Sequence, residues 1–276
     1  MTLARVTLSC MAATLIGHAA WAAQGVVIVE KTTVNGAPET HQIQITPQRM
    51  RADVAGANGL TTVVFDATKQ VLYLINTDRM TYSEMTKAEA EQMGAQLSGM
   101  MAQMQEALKS MPPEQRAQME AMMKGRGLPS PTAGAVKTTY KKGGTQRVGK
   151  WTCDVYEMQV NEQRTGELCT VSPQTLGLTP ADFAVTRQLA DFMRSILPQG
   201  AEALFQVGGA DAGFTGVPVK RVATVLGRET ISEMADATRQ DIPDALFVVP
   251  AGYTKEAFGG LGAARGRGRG RGPGGQ

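Results

Sequence analysis

Histidine is nearly missing from this 276-residue chain, which has two, His18 and His41. Cysteine occurs three times, tryptophan twice, and aromatic residues make up 5% of the whole. His18 falls in a segment read below as a removable leader, so the mature chain keeps His41 alone, which argues against histidine catalysis and multi-histidine metal sites. An excess of either charge is missing too: 28 basic residues stand against 25 acidic ones, which argues against a body built to hold nucleic acid. Beyond the leader no run approaches the ~20 apolar residues of a membrane helix. The chain lacks Gly-x-Ser-x-Gly, a glycine loop running into a helix with lysine, and a histidine to partner serine or cysteine. Acidic pairs such as Glu89 and Glu91 read as solvated charge on a helix. The sequence therefore reads as non-enzymatic, with no cofactor.

What is present begins with an address. MTLAR, VTLSCMAATLIGHAA and WAAQG make a basic start, a short apolar run and a small-x-small close, so residues 1–22 are expected to be a signal peptide cut after Ala22. Thr7, Leu8 and Ser9 match poorly the small residues that precede an acylated cysteine, and Cys10 is not expected to carry lipid. The mature protein is expected to be periplasmic or secreted. Disulfides persist in such a compartment, and Cys153 and Cys169 stand on two β-rich arms of a hairpin, so they are expected to bridge. A redox pair or a thiolate metal site would call for Cys-x-x-Cys spacing or a nearby histidine, and neither exists.

From Gln24 to Met85, short β-rich runs alternate with turn signals such as Asn35-Gly36, the pattern of an antiparallel meander. Leu72, Tyr73, Leu74 and Ile75 are all apolar, which implies a strand covered on both faces. Thr86 to Glu89 then reads as a capping box, followed by a stripe of Met93, Leu97, Met100, Met104, Leu108 and Met111 at helical spacing, stopped by Pro112-Pro113. A second helix carries Met119, Met122 and Met123, and GRGLPSPTAG is a linker. Strands resume with VKTTYKK, a Gly143-Gly144 turn and the cysteine hairpin. Thr179 to Asp182 starts a helix that lines up Val185, Leu189, Phe192 and Ile196. ALFQVGG, VPVKRVATVL and DALFVVPAGY read as strands, and TISEMADATRQ as helix or strand.

The expected organisation is a signal peptide over 1–22 and one β-rich domain over 23–258. That domain carries an inserted Met-rich helical hairpin at 86–124, a linker at 125–134 and, after it, a disordered Arg-Gly tail at 259–276. Setting aside Arg5 and the four tail arginines leaves 23 basic residues against 25 acidic ones, so the tail produces the basic balance. The fold class is mainly β (α+β): a curved antiparallel sheet or half-barrel with helical cover.

VVFDATKQVLYLINTDRMTYSEM, the G-x-W-x-C-x-x-Y run from Gly149 to Tyr156, TGVPVKRVATV and LFVVPAGY together resemble a secreted bacterial family known as domain of unknown function 4412. That family is similar in architecture to the periplasmic lipoprotein carriers, half-barrels of antiparallel sheet closed by helices over an apolar cavity. The resemblance implies a non-catalytic binding or carrier protein for a hydrophobic small molecule, lipid or lipoprotein acyl chain, and the inward apolar positions equally suit a packed core.

Ten of the sixteen methionines fall between Met80 and Met123, and methionine suits adaptable surfaces, so a chaperone gripping exposed hydrophobic protein segments through the hairpin is the alternative. A further one is thioether binding of Cu(I) by Met100, Met101, Met104, Met119, Met122 and Met123. The tail has no interleaved aromatics for base stacking; its expected partners are anionic envelope surfaces, not nucleic acid.

Overall fold

The computed structural model describes residues 22–34, 36–56, 59–125, 138–160, 162–196, 213–225 and 228–258. The leader ahead of Ala22 with Cys10, linker residues 126–134, the ALFQVGG run and the tail lie outside the described residues.

Six strands come first: β1 (Ala22–Val34), β2 (Ala37–Ile45), β3 (Arg49–Gly56), β4 (Gly59–Asp66), β5 (Val71–Asn76) and β6 (Thr81–Thr86). Helices α1 (Lys87–Ser110) and α2 (Pro113–Gly125) follow, then β7 (Thr138–Val148), β8 (Trp151–Val160) and β9 (Gln163–Val171). Helix α3 (Ala184–Arg194), β10 (Val217–Val225), β11 (Arg228–Pro243) and the short β12 (Thr254–Lys255) complete the fold. The strands form one open, curved, 12-stranded sheet in the order β12-β6-β5-β4-β3-β2-β1-β11-β10-β9-β8-β7. It is two antiparallel meanders, β1–β6 and β7–β11, joined where β1 pairs with β11 from Ala22↔Pro243 to Val34↔Thr230. The sheet is mixed rather than purely antiparallel, because β12 runs parallel to β6. TISEMADATRQ lies within β11.

Alternation divides the apolar side chains between two faces. Val26, Ile28, Phe65, Leu72 and Met85 point into the main core, while Val27, Val64 and Ile75 point to the other side. The outer face is covered by the chain after β11. DALFVVPAGY does not form the expected strand: Pro243 has no N–H to extend the ladder, Asp244–Phe247 wind into a 3-10 turn, and Leu246, Phe247, Val249 and Tyr253 pack on the outer face. Arg49 fastens this strap, pairing with the Asp244 carboxylate at 2.6 Å and lying 5.0 Å from the Phe247 ring centroid. Arg51 donates to the Leu246 carbonyl at 3.0 Å. Coverage of β5 on both faces follows.

One further expectation is corrected, and the methionine stripe is divided between core and solvent. Gly143-Gly144 does not turn the chain; β7 runs through it with a bulge, and the reversal comes at Gly149, whose φ of +53° suits glycine, so that Val148 faces Trp151. The methionine stripe is not buried along its length. Met93 packs on the core, Leu108 is buried and Met111 half-buried, but Met100 is 61% exposed and Met104 38%. The capping box forms as expected: the Thr86 hydroxyl accepts from the Glu89 amide, and the Glu89 carboxylate accepts from the Thr86 amide at 2.8 Å. That backbone bond lowers the Glu89 pKa. Arg116 of α2 donates to the carbonyls of Leu108, Lys109 and Met111, tying the two helices at their shared corner.

Helix α1 meets the end of α3 at Gly94, where a Cβ would overlap the Ser195 carbonyl oxygen. Gly99, one turn further on, has nothing within 4 Å of the same position. Gly94→Ala should therefore destabilise the protein by about 1–3 kcal/mol through the forced backbone shift, and Gly99→Ala should stabilise it by about 0.5–1 kcal/mol. Urea unfolding of the two variants checks the contrast, and equal effects would show that α1 does not dock on α3.

Candidate binding cavity

Helix α3 is placed by the residues just before it. Pro180 opens a 3-10 turn (Pro180–Phe183) that leads directly into the helix. The Asp182 carboxylate accepts from the Thr179 amide at 2.7 Å, from the Thr179 hydroxyl at 2.8 Å and from Arg239 of β11 at 2.6 Å. Burial alone would raise the Asp182 pKa, but the bonds from Arg239 and Thr179 outweigh it and hold the carboxyl below its ordinary value of 3.8. Helix and sheet are thus clamped together by one ionised group.

The helix then lays Val185, Leu189 and Phe192 on the concave core, as its spacing implies, with Ile196 half-buried beyond its end. Phe192 meets Phe65 of β4 with ring centroids 5.5 Å apart. Thr186 is buried among these apolar groups and satisfies its hydroxyl by donating to the Phe183 carbonyl at 2.7 Å.

Between α3 and the sheet lies a cavity of about 430 Å³, partly open to solvent. Its floor is Ile28, Ile43, Ile45 and Met50 from β1 to β3, with Val217 and Val219 from β10 and Met234 from β11; Phe183, Thr186 and Leu189 form the roof. Val54, 49% exposed, stands at the mouth. Glu30, Lys220, Arg221 and Ser232 supply a polar lip. Two irregularities lie at this wall: β1 and β11 shift register between Val29 and Glu30, and β10 shifts against β9 between Pro218 and Lys220. Such bulges re-aim side chains locally. Lys220 pairs with Glu233 at 3.6 Å, and the Thr32 and Ser232 hydroxyls are 3.2 Å apart. Arg221 is half-buried. Burial lowers its pKa against the opposing influence of Tyr140 and Glu30, and a guanidinium stays charged in proteins. A smaller cavity of about 240 Å³ lies at the other edge of α3, beside Phe65, Lys87 and Asp191.

Cys153 and Cys169 are bonded as expected, with their Cα atoms 5.4 Å apart, and both are buried in the main core. The bridge acts as a staple between β8 and β9, worth on the order of 3 kcal/mol for a loop of this size. Of the six methionines considered for Cu(I), Met100 and Met104 are exposed on α1 and Met122 on α2. The side chains of Met101, Met119 and Met123 lie outside the described residues. The cavity wall carries polar groups that sequence reasoning passed over, Glu30, Arg221 and Ser232 among them. Glu30 and Arg221 show in the sequence only as charge interrupting apolar strand runs, in VVIVEK and VPVKRV, and Ser232 gives no signal.

The model of the family described as Domain of unknown function (DUF4412) matches residues 86–253. The chain belongs to that family. No curated protein matches it. Among solved structures, a LolA superfamily protein from Nitrosomonas europaea is 9% identical, with 84% of this chain and 92% of that chain covered and a TM-score of 0.24. A score that low gives the likeness no bearing on fold or ligand. The DUF4412 region holds the cavity's roof and lip residues Lys220, Arg221 and Ser232, whereas Ile28, Ile43, Ile45 and Met50 of the floor precede it. Among the described residues, no helix is long and apolar enough to cross a membrane.

Because Asp182 is ionised in the fold with a lowered pKa, its contribution is present above the ordinary carboxylate value and is lost as pH falls through the folded one. Asp182→Ala should cost about 1–3 kcal/mol at pH 7. Thermal unfolding of both proteins should show that difference shrinking as the pH is taken below 3.8. A pH-independent difference would mean that the carboxylate does not clamp α3.

Proposed function

We propose that this protein is a non-catalytic binding or carrier protein for a hydrophobic ligand, held between α3 and the concave sheet. The single observation that carries this reading is the cavity of about 430 Å³, with an apolar floor and a helical roof. Ligand cavities span about 300–1,000 Å³ and combine apolar linings with a few polar groups. An interior already filled by its own side chains would leave no such space. The expected signal peptide and the disulfide support a reading in which binding occurs outside the cytoplasm, in the periplasm or beyond.

A second reading uses α1 and α2. Met100, Met104 and Met122 present exposed thioethers, which favours these helices as an adaptable surface for exposed hydrophobic protein segments.

The neutral apolar dye N-phenyl-1-naphthylamine tests the first reading. Its fluorescence should rise on titration into the protein, and 1-dodecanol should reverse the rise. Leu189→Trp, which fills the cavity from its roof, should weaken uptake about tenfold or more while the protein stays folded by circular dichroism. Absence of uptake by the wild type would overturn the cavity reading. Uptake unchanged by Leu189→Trp but lost on removing residues 87–125 would transfer binding to the methionine helices.

A further inference from the structure

A pair of aromatic rings beneath α3 bears on which ligands the protein holds, an inference that rests on the cavity reading proposed above. The cavities of about 430 Å³ and about 240 Å³ share this helix as a wall: Thr186 and Leu189 line the larger, Gln188 and Phe192 the smaller. Their floors are neighbours on the sheet. Val26, Ile45, Met50, Phe65, Leu72 and Met85 are successive cross-strand partners from β1 to β6, and together they form one apolar row on the concave core. Ile45 and Met50 of this row floor the larger cavity, and Phe65, the next residue along it, lines the smaller.

Residues directly opposite on paired strands stand about 5 Å apart, so a single layer of side chains divides the two spaces. On the helix the division falls between Leu189 and Phe192, whose spacing puts them on one face. The partition is the Phe65–Phe192 ring pair, with centroids 5.5 Å apart and planes inclined at 57°. Both rings are buried, and a ligand pushing between them would lose their contact with each other as well as their burial. The partition is therefore firm unless a ring is removed. The path toward it follows a single row of side chains beneath one helix, a shape that favours a linear hydrocarbon chain over a broad, rigid ring system.

We infer that the Phe65–Phe192 pair is the stop that sets how long a hydrocarbon chain the protein holds: the chain runs over Ile45 and Met50 beneath Leu189 and ends against the rings, with the smaller cavity closed off behind them.

The test is displacement of N-phenyl-1-naphthylamine by the 1-alkanols from 1-hexanol to 1-tetradecanol, reading the concentration that releases half of the dye. On the wild type each added methylene should lower that concentration about fourfold until the chain meets the rings, after which the gain should fall below about twofold. Phe192→Ala should move this break to longer alkanols by about two or more methylenes, and Phe192→Leu, which removes less volume and keeps the fold if the alanine variant does not, should move it the same way by less. Adding Gln188→Trp, which fills the smaller cavity from the helix side, should return the break of either variant to its wild-type place. A wild-type gain that continues undiminished through 1-tetradecanol, or a break that stays in place in a Phe192 variant folded by circular dichroism, would overturn the stop and leave the cavity reading standing. A shift that survives Gln188→Trp would likewise overturn the inference, since the chain would then be using only the space of the missing ring. Failure of the wild type to take up the dye at all would instead remove the cavity reading beneath it.

Discussion

Helix α3 has to lie on the concave face of the sheet, and most of the structure depends on that contact. The curved sheet points Ile28, Phe65, Leu72 and Met234 inward, and Val185, Leu189 and Phe192 of α3 are what closes over them. Burying each such side chain is worth about 1.5–3 kcal/mol, so an uncovered sheet of this shape would expose its main source of stability. The clamp made by Thr179, Asp182 and Arg239 fixes where the helix starts, and the close approach of Gly94 to Ser195 fixes where α1 meets its end. The cavity forms on the β1–β3, β10 and β11 side of this contact, where roof and floor are held apart.

The sheet is assembled across a large distance in sequence. Two meanders of local hairpins meet only when β1 pairs with β11, and that seam forms one wall of the cavity through Ile28, Glu30 and Met234. Local hairpins lose little chain entropy on closing, whereas this seam joins residues about two hundred positions apart. The bulges near Glu30 and Lys220 lie on and beside it. A cavity built on such a seam exists only after the whole domain has folded. The strap over the outer face, fastened by Arg49 and Arg51, covers the side that α3 cannot reach.

Much of this was legible in the residues. The β1–β6 meander followed from alternation and turn chemistry, α3 from Pro180 and the spacing of Val185, Leu189 and Phe192, and the disulfide from compartment and hairpin placement. The misreadings share a physical origin. DALFVVPAGY is apolar enough for a strand, but its side chains serve the outer face as a strap. Gly143-Gly144 allows both a turn and a bulge, and only the register with β8 decides between them. The methionine stripe has helical period, yet period does not say whether a partner surface exists, and among the described residues Met100 and Met104 are exposed. The cavity lip was hardest to see. Arg221 and Glu30 are far apart in sequence and come to one wall through the β10–β11–β1 ladders.

Under the reading proposed above, the molecule holds an apolar ligand between α3 and the concave sheet. The direct measurement is native mass spectrometry of the protein purified without detergent from the compartment where it accumulates. A mass increment corresponding to a bound apolar ligand, released on denaturation, is the predicted result. Bare protein in every preparation would contradict it.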